Sequence, residues 1–369
     1  MSGIYIHIPF CVSKCTYCDF ASYPKEIGKA ESYFACLYRE IKGRGLAYGK
    51  RTFDTVYIGG GTPSAVDAKF IAGALKQVRS CFTLSASPEI TVEINPGTVN
   101  EEKVNTYLAA GINRFSVGLQ TGYDEQLKRL NRPHTAKDFL LCCKLLKGQN
   151  VSVDLLIGLA GQTAEQVKKS IDLALAGGAS HISVYALTPE PGTPVYTDYL
   201  NGELPGEDEV ADLYDAARAY LKENGLFRYE VSNFAKSGFE SRHNLNYWRR
   251  GEYVGAGVSA SSFMDGRRFT NTYSIDEYMN AVILNKAPEI YSENIEGKDA
   301  EFEFIMLGLR TAEGISAADF KSRFGKDFFK EYAAPLKSKA EYLETGEDRI
   351  RIKDDYLFVQ NGIIMEFMK

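Results

Sequence analysis

Six times in succession a short β-branched or aromatic run is followed by a helical stretch, and no other feature of the chain constrains its fold as much. The strand-like runs are Ile4 to Ile8, Thr55 to Ile58, Glu89 to Ile94, Arg114 to Leu119, Ser152 to Ile157 and Ile182 to Leu187. Between and after them lie Ala30 to Lys42, Asp67 to Val78, Glu101 to Ala110, Ala136 to Lys147, Ala164 to Ala176 and Glu207 to Asn224. Each of these places apolar residues three and four apart, as an amphipathic helix does. Helices of this length serve as right-handed crossovers, so the expected class is α/β with a parallel sheet, curved as a partial (βα)6 TIM-like barrel. A doubly wound open sheet has the same periodicity and stays open as the alternative. In both, chemistry gathers in the loops after the strands.

From Phe227 to Asp265 the alternation breaks into Gly- and aromatic-rich loops with short apolar runs, as expected of a functional excursion or closing segment. A compact C-terminal unit follows, with helices over Ala300 to Leu309, Ala317 to Phe324 and Phe328 to Leu336. Strand-like Arg349 to Ile352 and Tyr356 to Val359 flank an Asp354-Asp355 turn, giving a winged-helix-like shape. The division is therefore 1–235 for the core, 236–295 for a connecting segment and 296–369 for the C-terminal domain. No repeat of fixed 20- to 50-residue period is present.

With 43 basic and 48 acidic side chains the net charge is -5, without the cationic footprint of a nucleic-acid binder. The C-terminal unit, with 12 basic and 15 acidic residues, is no better suited to duplex DNA. No apolar run approaches the roughly 20 residues of a membrane span. The opening MSGIYIHIPF lacks a basic n-region and reads as a buried strand, so a cytoplasmic location is expected.

Cysteine usage is uneven. Cys36, Cys81, Cys142 and Cys143 lie scattered in apolar surroundings as small buried hydrophobes, whereas Cys11, Cys15 and Cys18 crowd one loop directly after the first strand. Metal or cluster ligation suits three neighbouring thiols better than disulfides do. A structural zinc takes four protein ligands, and the fourth would have to be His7, Cys36 or something distant. A 4Fe-4S cluster held by three thiolates leaves one iron open. Thiolates suit either metal.

The x3, x2 spacing, with aromatic Tyr17 before the third cysteine, resembles the signature of radical S-adenosylmethionine enzymes. That resemblance implies a 4Fe-4S cluster whose open iron chelates the amino and carboxylate groups of S-adenosylmethionine, and whose electron cleaves the sulfonium to a 5′-deoxyadenosyl radical. It also implies cofactor roles at matching positions. Gly60, Gly61 and Thr62, in the glycine loop after the second strand, would hold the methionyl amino group. Glu93, Gln120, Arg132 and Asp154 would meet ribose and carboxylate, Arg132 as a bidentate fork. Tyr5 and Ala186 occupy further matching positions. Taken one at a time, these polar residues are equally capping or surface groups. His7 is expected to point into the barrel near the cluster.

YIHIPFC, GGGTPS, ISVYALTPEPGTP and the C-terminal unit resemble the oxygen-independent coproporphyrinogen III oxidase group over nearly the whole chain. Within it, the oxidases carry a fourth cysteine two residues after the third, where this chain has Phe20, and a longer segment before the loop. The chain is instead similar to the heme chaperone subfamily, and Arg242 to Trp248 resembles that subfamily's HNxxYW motif. His243 is the candidate axial ligand, with Tyr247 and Trp248 lining the porphyrin. His134 and His181 have no evident partner. The resemblance implies a heme carrier, monomer or homodimer, that hands heme to acceptor hemoproteins such as respiratory enzymes and draws on an electron donor. Oxidative decarboxylation of coproporphyrinogen III is the enzymatic alternative, and a purely structural zinc protein the plain one.

Overall fold

Alternation along each strand gives the sheet two unlike faces, and that difference positions everything functional. The computed structural model describes residues 1–368. Its core strands are β1 (Ser2–Ile8), β2 (Thr52–Gly60), β3 (Thr83–Ile94), β4 (Arg114–Gln120), β5 (Asn150–Ile157) and β6 (His181–Ala186). They pair in parallel in that order, each followed by helical structure, so the mixed α/β class with a parallel sheet is borne out. Ile6, Val56, Ile58, Val92, Val117 and Val153 belong to the main apolar core and are fully buried. The alternate residues form polar rows across the strands. Gly3, Thr55 and Glu89 stand in register, then Tyr5, Tyr57 and Thr91, and further round the sheet Glu93, Ser116, Ser152 and His181. A parallel strand buried between two apolar layers would be a continuous hydrophobic run. These strands alternate because their inner face is built for polar contacts.

The crossover helices begin where side chains can satisfy their first amides. Asp67 accepts from the Lys69 N–H, and Thr135 and Thr163 form reciprocal capping boxes with Asp138 and Gln166.

The segment 236–295, expected as a connecting stretch, joins the sheet. It contributes β9 (Glu252–Ala256), β10 (Ser261–Met264), β11 (Arg267–Asn271) and β12 (Glu289–Asn294), after the short β7 (Phe227–Arg228) and β8 (Asn233–Ala235). β9 lies parallel to β1 on its free edge and leads into an antiparallel extension, for the order β12-β11-β10-β9-β1-β2-β3-β4-β5-β6-β8-β7. The loop-like composition has a local cause at Gly255: a Cβ there would stand 2.2 Å from the Ser261 carbonyl, so the tight β9 to β10 passage requires glycine.

The C-terminal unit has its own core around Phe304, Phe320, Phe328, Ile350 and Phe367. Its three-stranded sheet is β13 (Ile315–Ser316), β14 (Leu343–Thr345) and β15 (Arg349–Ile352), in the order β13-β15-β14. The hairpin therefore precedes the expected one. Asp354–Val359 is a 3-10 turn in which Leu357 is buried and Phe358 exposed. Among the described residues no helix is long and apolar enough to cross a membrane.

Candidate functional site

The loop after β1 has no regular structure, and neighbouring βα-loops hold it in place. Gly61 N–H donates to the Ile8 carbonyl and Thr62 N–H to the Phe10 carbonyl, both at 2.8 Å, while Thr16 N–H donates to the Leu130 carbonyl at 3.1 Å. Each thiol on this loop has its own polar neighbour. The Thr62 hydroxyl donates to Cys11 Sγ at 3.5 Å, Arg132 Nη1 donates to Cys15 Sγ at 3.5 Å, and Cys18 Sγ lies 3.6 Å from Ser22 Oγ. Burial pushes the Cys11 thiol pKa up, the Thr62 hydroxyl opposing and the nearby Cys18 and Cys15 thiols reinforcing. Among the described residues, no three His, Cys, Asp or Glu side chains converge as ligands of a single ion. A cubane offers each thiolate a different iron, so it asks for a wider triangle than zinc does.

The glycine loop lies against the cysteine loop. Gly60 has φ of 115°, and a Cβ on it would meet the His7 ring at 2.6 Å. One on Gly61 would stand 3.0 Å from Cys11 Sγ. His7 Nε2 lies 2.9 Å from the Ala21 carbonyl, which can only accept, so that nitrogen carries the proton and Nδ1 accepts from the Tyr5 hydroxyl at 3.0 Å. Burial holds the His7 pKa down at about 4, and the ring is neutral.

Arg132 and Glu93 face the same site. Arg132 Nη2 donates to Asn95 Oδ1 and to the Gly118 carbonyl, both at 2.7 Å, leaving a buried Nε with no partner. Glu93 accepts from the Tyr57 hydroxyl at 2.7 Å and the Gly60 N–H at 3.1 Å, and burial pushes its pKa up to about 7. Asp154 accepts from Ser183 at 2.7 Å and Ser116 at 3.1 Å, its pKa also raised by burial. Gln120 ends β4 in a left-handed conformation, φ 71°, and Ala186 is exposed at the end of β6. All the sequence-derived cofactor candidates thus stand on the carboxyl half of the sheet. Direct contacts join Gly60 to Glu93, Thr62 to Cys11 and Arg132 to Cys15, and Gln120 Nε2 and Arg132 Nη2 each stand 3.0 Å from where a Gly118 Cβ would be, whereas Ala186 lies further round the edge. Asn95 was missed by sequence reasoning. Its amide donates to Thr62 Oγ1 at 2.9 Å while its carbonyl receives Arg132, and its place just after β3 was the only available signal.

The heme-motif candidates diverge. Arg242–Trp248 is a short helix capped by Ser241 and seated below the Tyr5 row, against Gly3, Thr55 and Glu89. His243 is 1% exposed and both ring nitrogens are engaged, Nδ1 with Thr55 Oγ1 at 2.7 Å and Nε2 with the Tyr247 hydroxyl at 2.9 Å. Its pKa is held at about 3, by burial first and Arg114 second. Tyr247 lines a cavity of about 670 Å³ with Tyr5, His7, Tyr253, Phe263 and Phe20. Trp248, about 100° further round the helix, is half-buried and does not line this cavity. His181 is bonded to Ser152 and Tyr229, and His134 to the Leu119 carbonyl. Cys36, Cys142 and Cys143 are buried, while Cys81 is only half-buried and accepts from Gln77.

Comparison with known proteins places these features in context. The Radical SAM superfamily model matches residues 5–174 and the HemN C-terminal domain model residues 295–357. The heme chaperone HemW of Bacillus subtilis is 33% identical, over 92% of this chain and 92% of its own. HemW of Escherichia coli is 36% identical over 86% of this chain and 85% of its own. The coproporphyrinogen III oxidase HemN of Escherichia coli superposes with a TM-score of 0.87 at 20% identity, covering 100% of this chain and 90% of that one.

Proposed function

The chain belongs to the family of the heme chaperone HemW, within the radical SAM superfamily, and on that premise we propose that it binds heme and transfers it to acceptor hemoproteins. Family membership implies a 4Fe-4S cluster and S-adenosylmethionine as its cofactors. Cys11, Cys15 and Cys18 would hold the cluster, each sulfur oriented by its polar neighbour. When bound, the cluster would supply an open iron for the amino acid end of S-adenosylmethionine and one electron for its sulfonium. Arg132, whose Nη1 donates to Cys15 Sγ, would receive the methionyl carboxylate. The side-chain-free backbone of Gly60 and Gly61, next to Thr62, would let the amino group approach closely, and Glu93, Gln120 and Asp154 would suit the ribose and its surroundings, with Tyr5 and Ala186 at the margins. In this scheme residues 1–235 hold the cofactors, 236–295 complete the cavity and 296–369 close over it.

The cavity of about 670 Å³ walled by Tyr5, Tyr247, Tyr253 and Phe263 carries the heme reading. It has the size and aromatic lining that a flat apolar macrocycle needs. His243 reaches iron in this scheme only once the Tyr247 hydroxyl releases its Nε2. We read the chain as a cytoplasmic monomer or homodimer, drawing its electron from a separate donor and serving respiratory hemoproteins.

The test is an anaerobic heme titration of cluster-reconstituted protein, followed by absorbance, beside a coproporphyrinogen III turnover assay on the same preparation. Saturable, stoichiometric binding without turnover is expected, with the Soret shift reduced in His243→Ala. Turnover without stable heme binding would make the protein an oxidase instead.

A further inference from the structure

The lining of this cavity also carries two guanidinium groups. Arg250 follows the motif helix in a left-handed conformation, φ 52°, and Arg268 projects from β11. Both lie over the ring of Phe263, their guanidinium carbons 4.7 and 5.3 Å from its centroid. Both line the same cavity as Tyr5 and Tyr247. They share one principal counterion, Glu303, from the C-terminal helix Gly297–Gly308. Arg250 Nε donates to its Oε2 at 2.7 Å, and Arg268 Nη2 donates to its Oε1. Beyond Glu303, Arg250 Nη2 reaches the Ile295 carbonyl at 3.4 Å, and Arg268 meets the Tyr253 hydroxyl and, at 3.7 Å from Nη1, the half-exposed Glu293.

Two half-buried guanidinium forks over one aromatic ring, meeting one carboxylate at the rim of an aromatic cavity, form a receptor for the carboxylates of a ligand. A ligand that fits has a broad apolar face for the tyrosines and adjacent carboxylates on one edge. A tetrapyrrole with neighbouring propionates has that chemistry. We propose that Arg250 and Arg268 bind the propionates of a tetrapyrrole lodged in this cavity, and that Glu303 occupies their place in the ligand-free protein. Ligand binding then exchanges one carboxylate for another and releases the Gly297–Gly308 helix from its ionic tie to the core. This assignment rests on the heme reading above and adds to it the residues that recognise the acidic edge.

Hemin and hemin dimethyl ester, whose propionates are uncharged, are titrated anaerobically into the full-length reconstituted protein and into Arg250→Gln, Arg268→Gln and Glu303→Gln. Wild type is expected to bind hemin about ten- to a hundredfold more tightly than the ester, the range for charge-assisted hydrogen bonds. That preference shrinks in either arginine variant. Glu303→Gln, which removes the competing carboxylate, tightens hemin binding and leaves the ester unchanged. Equal affinity of wild type for hemin and ester overturns the assignment while leaving the heme reading intact, and so does a Glu303→Gln variant that weakens both. Failure of wild type to bind either porphyrin overturns the heme reading, and this inference with it. The wild-type comparison needs no substitution to fold.

Discussion

Replacing Glu93 by Gln should change how stability depends on pH, by an amount the site allows one to work out. Glu93 is half-buried on the inner face of β3, accepting from Tyr57 and Gly60, and its desolvation there raises its pKa to about 7 from an ordinary 4.5. Below about pH 4.5 and above about pH 7 the folded and unfolded chains carry the same charge at this position. Between those limits the folded chain holds an extra proton, so stability falls as pH rises through the window. At about 1.4 kcal/mol per pH decade the loss is on the order of 3 kcal/mol. Glutamine cannot titrate and escapes that loss, but its amide turns a donor toward Tyr57 or Gly60, which costs about 1 kcal/mol at every pH. The variant should therefore be about 1 kcal/mol less stable than wild type near pH 4.5 and about 2 kcal/mol more stable at pH 8. Urea unfolding of both proteins at half-unit steps from pH 4.5 to 8 gives the difference directly, because titrations common to both cancel. A difference that stays flat across the range would refute the burial argument, and one that falls with pH would reverse its sign.

Further outcomes follow from the same geometry. Cys15→Ala should lose most of its iron and sulfide after anaerobic reconstitution while Cys142→Ala keeps them, and normal cluster loading in Cys15→Ala would reject the three-thiolate site. Gly60→Ala places a Cβ 2.6 Å from the His7 ring at a φ of 115°. Strain and overpacking together should cost about 2–5 kcal/mol in urea unfolding, and a neutral result would mean the glycine loop repacks freely. Arg44→Met removes the cation paired at 3.2 Å with buried Glu40, which also accepts from Gly257, Asn271 and Tyr278. Breaking such a pair costs roughly 3–5 kcal/mol, read as a lower urea midpoint at unchanged slope.

The βα core was legible because each of its signals is local. Asp67, Thr135 and Thr163 announce helices within three residues, and the β-branched runs announce strands within six. The cysteine loop was legible for the same reason. Contacts between distant parts of the chain were not. That His243 would spend both ring nitrogens on Thr55 and Tyr247 depends on a partner 188 residues away, and one of the two residues expected to line the porphyrin, Trp248, faces elsewhere. β9 looked like a loop because Gly255 breaks its pattern for the sake of a backbone crossing. Tyr356 to Val359 has the composition of a strand, but short apolar runs suit strand and turn alike, and the segment continues the 3-10 turn that begins at Asp354, which pairs with Arg228 at 2.6 Å. Arg250 and Arg268 gave no signal, since only the folded sheet brings them to one ring.

The parallel pairing of β1 with β9 also sets a timetable for biosynthesis. Ser2 pairs with Glu252, so the strand that launches the cysteine loop lies mid-sheet with one hydrogen-bonding edge bare until some 250 further residues have been made. At about 5–20 residues per second that interval is on the order of 10–50 s. Until it ends, the loop hangs from a half-paired strand beside an unfinished cavity. Metal loading of the nascent chain would therefore act on a loosely held loop, and a fragment released before Glu252 keeps an open edge that invites aggregation.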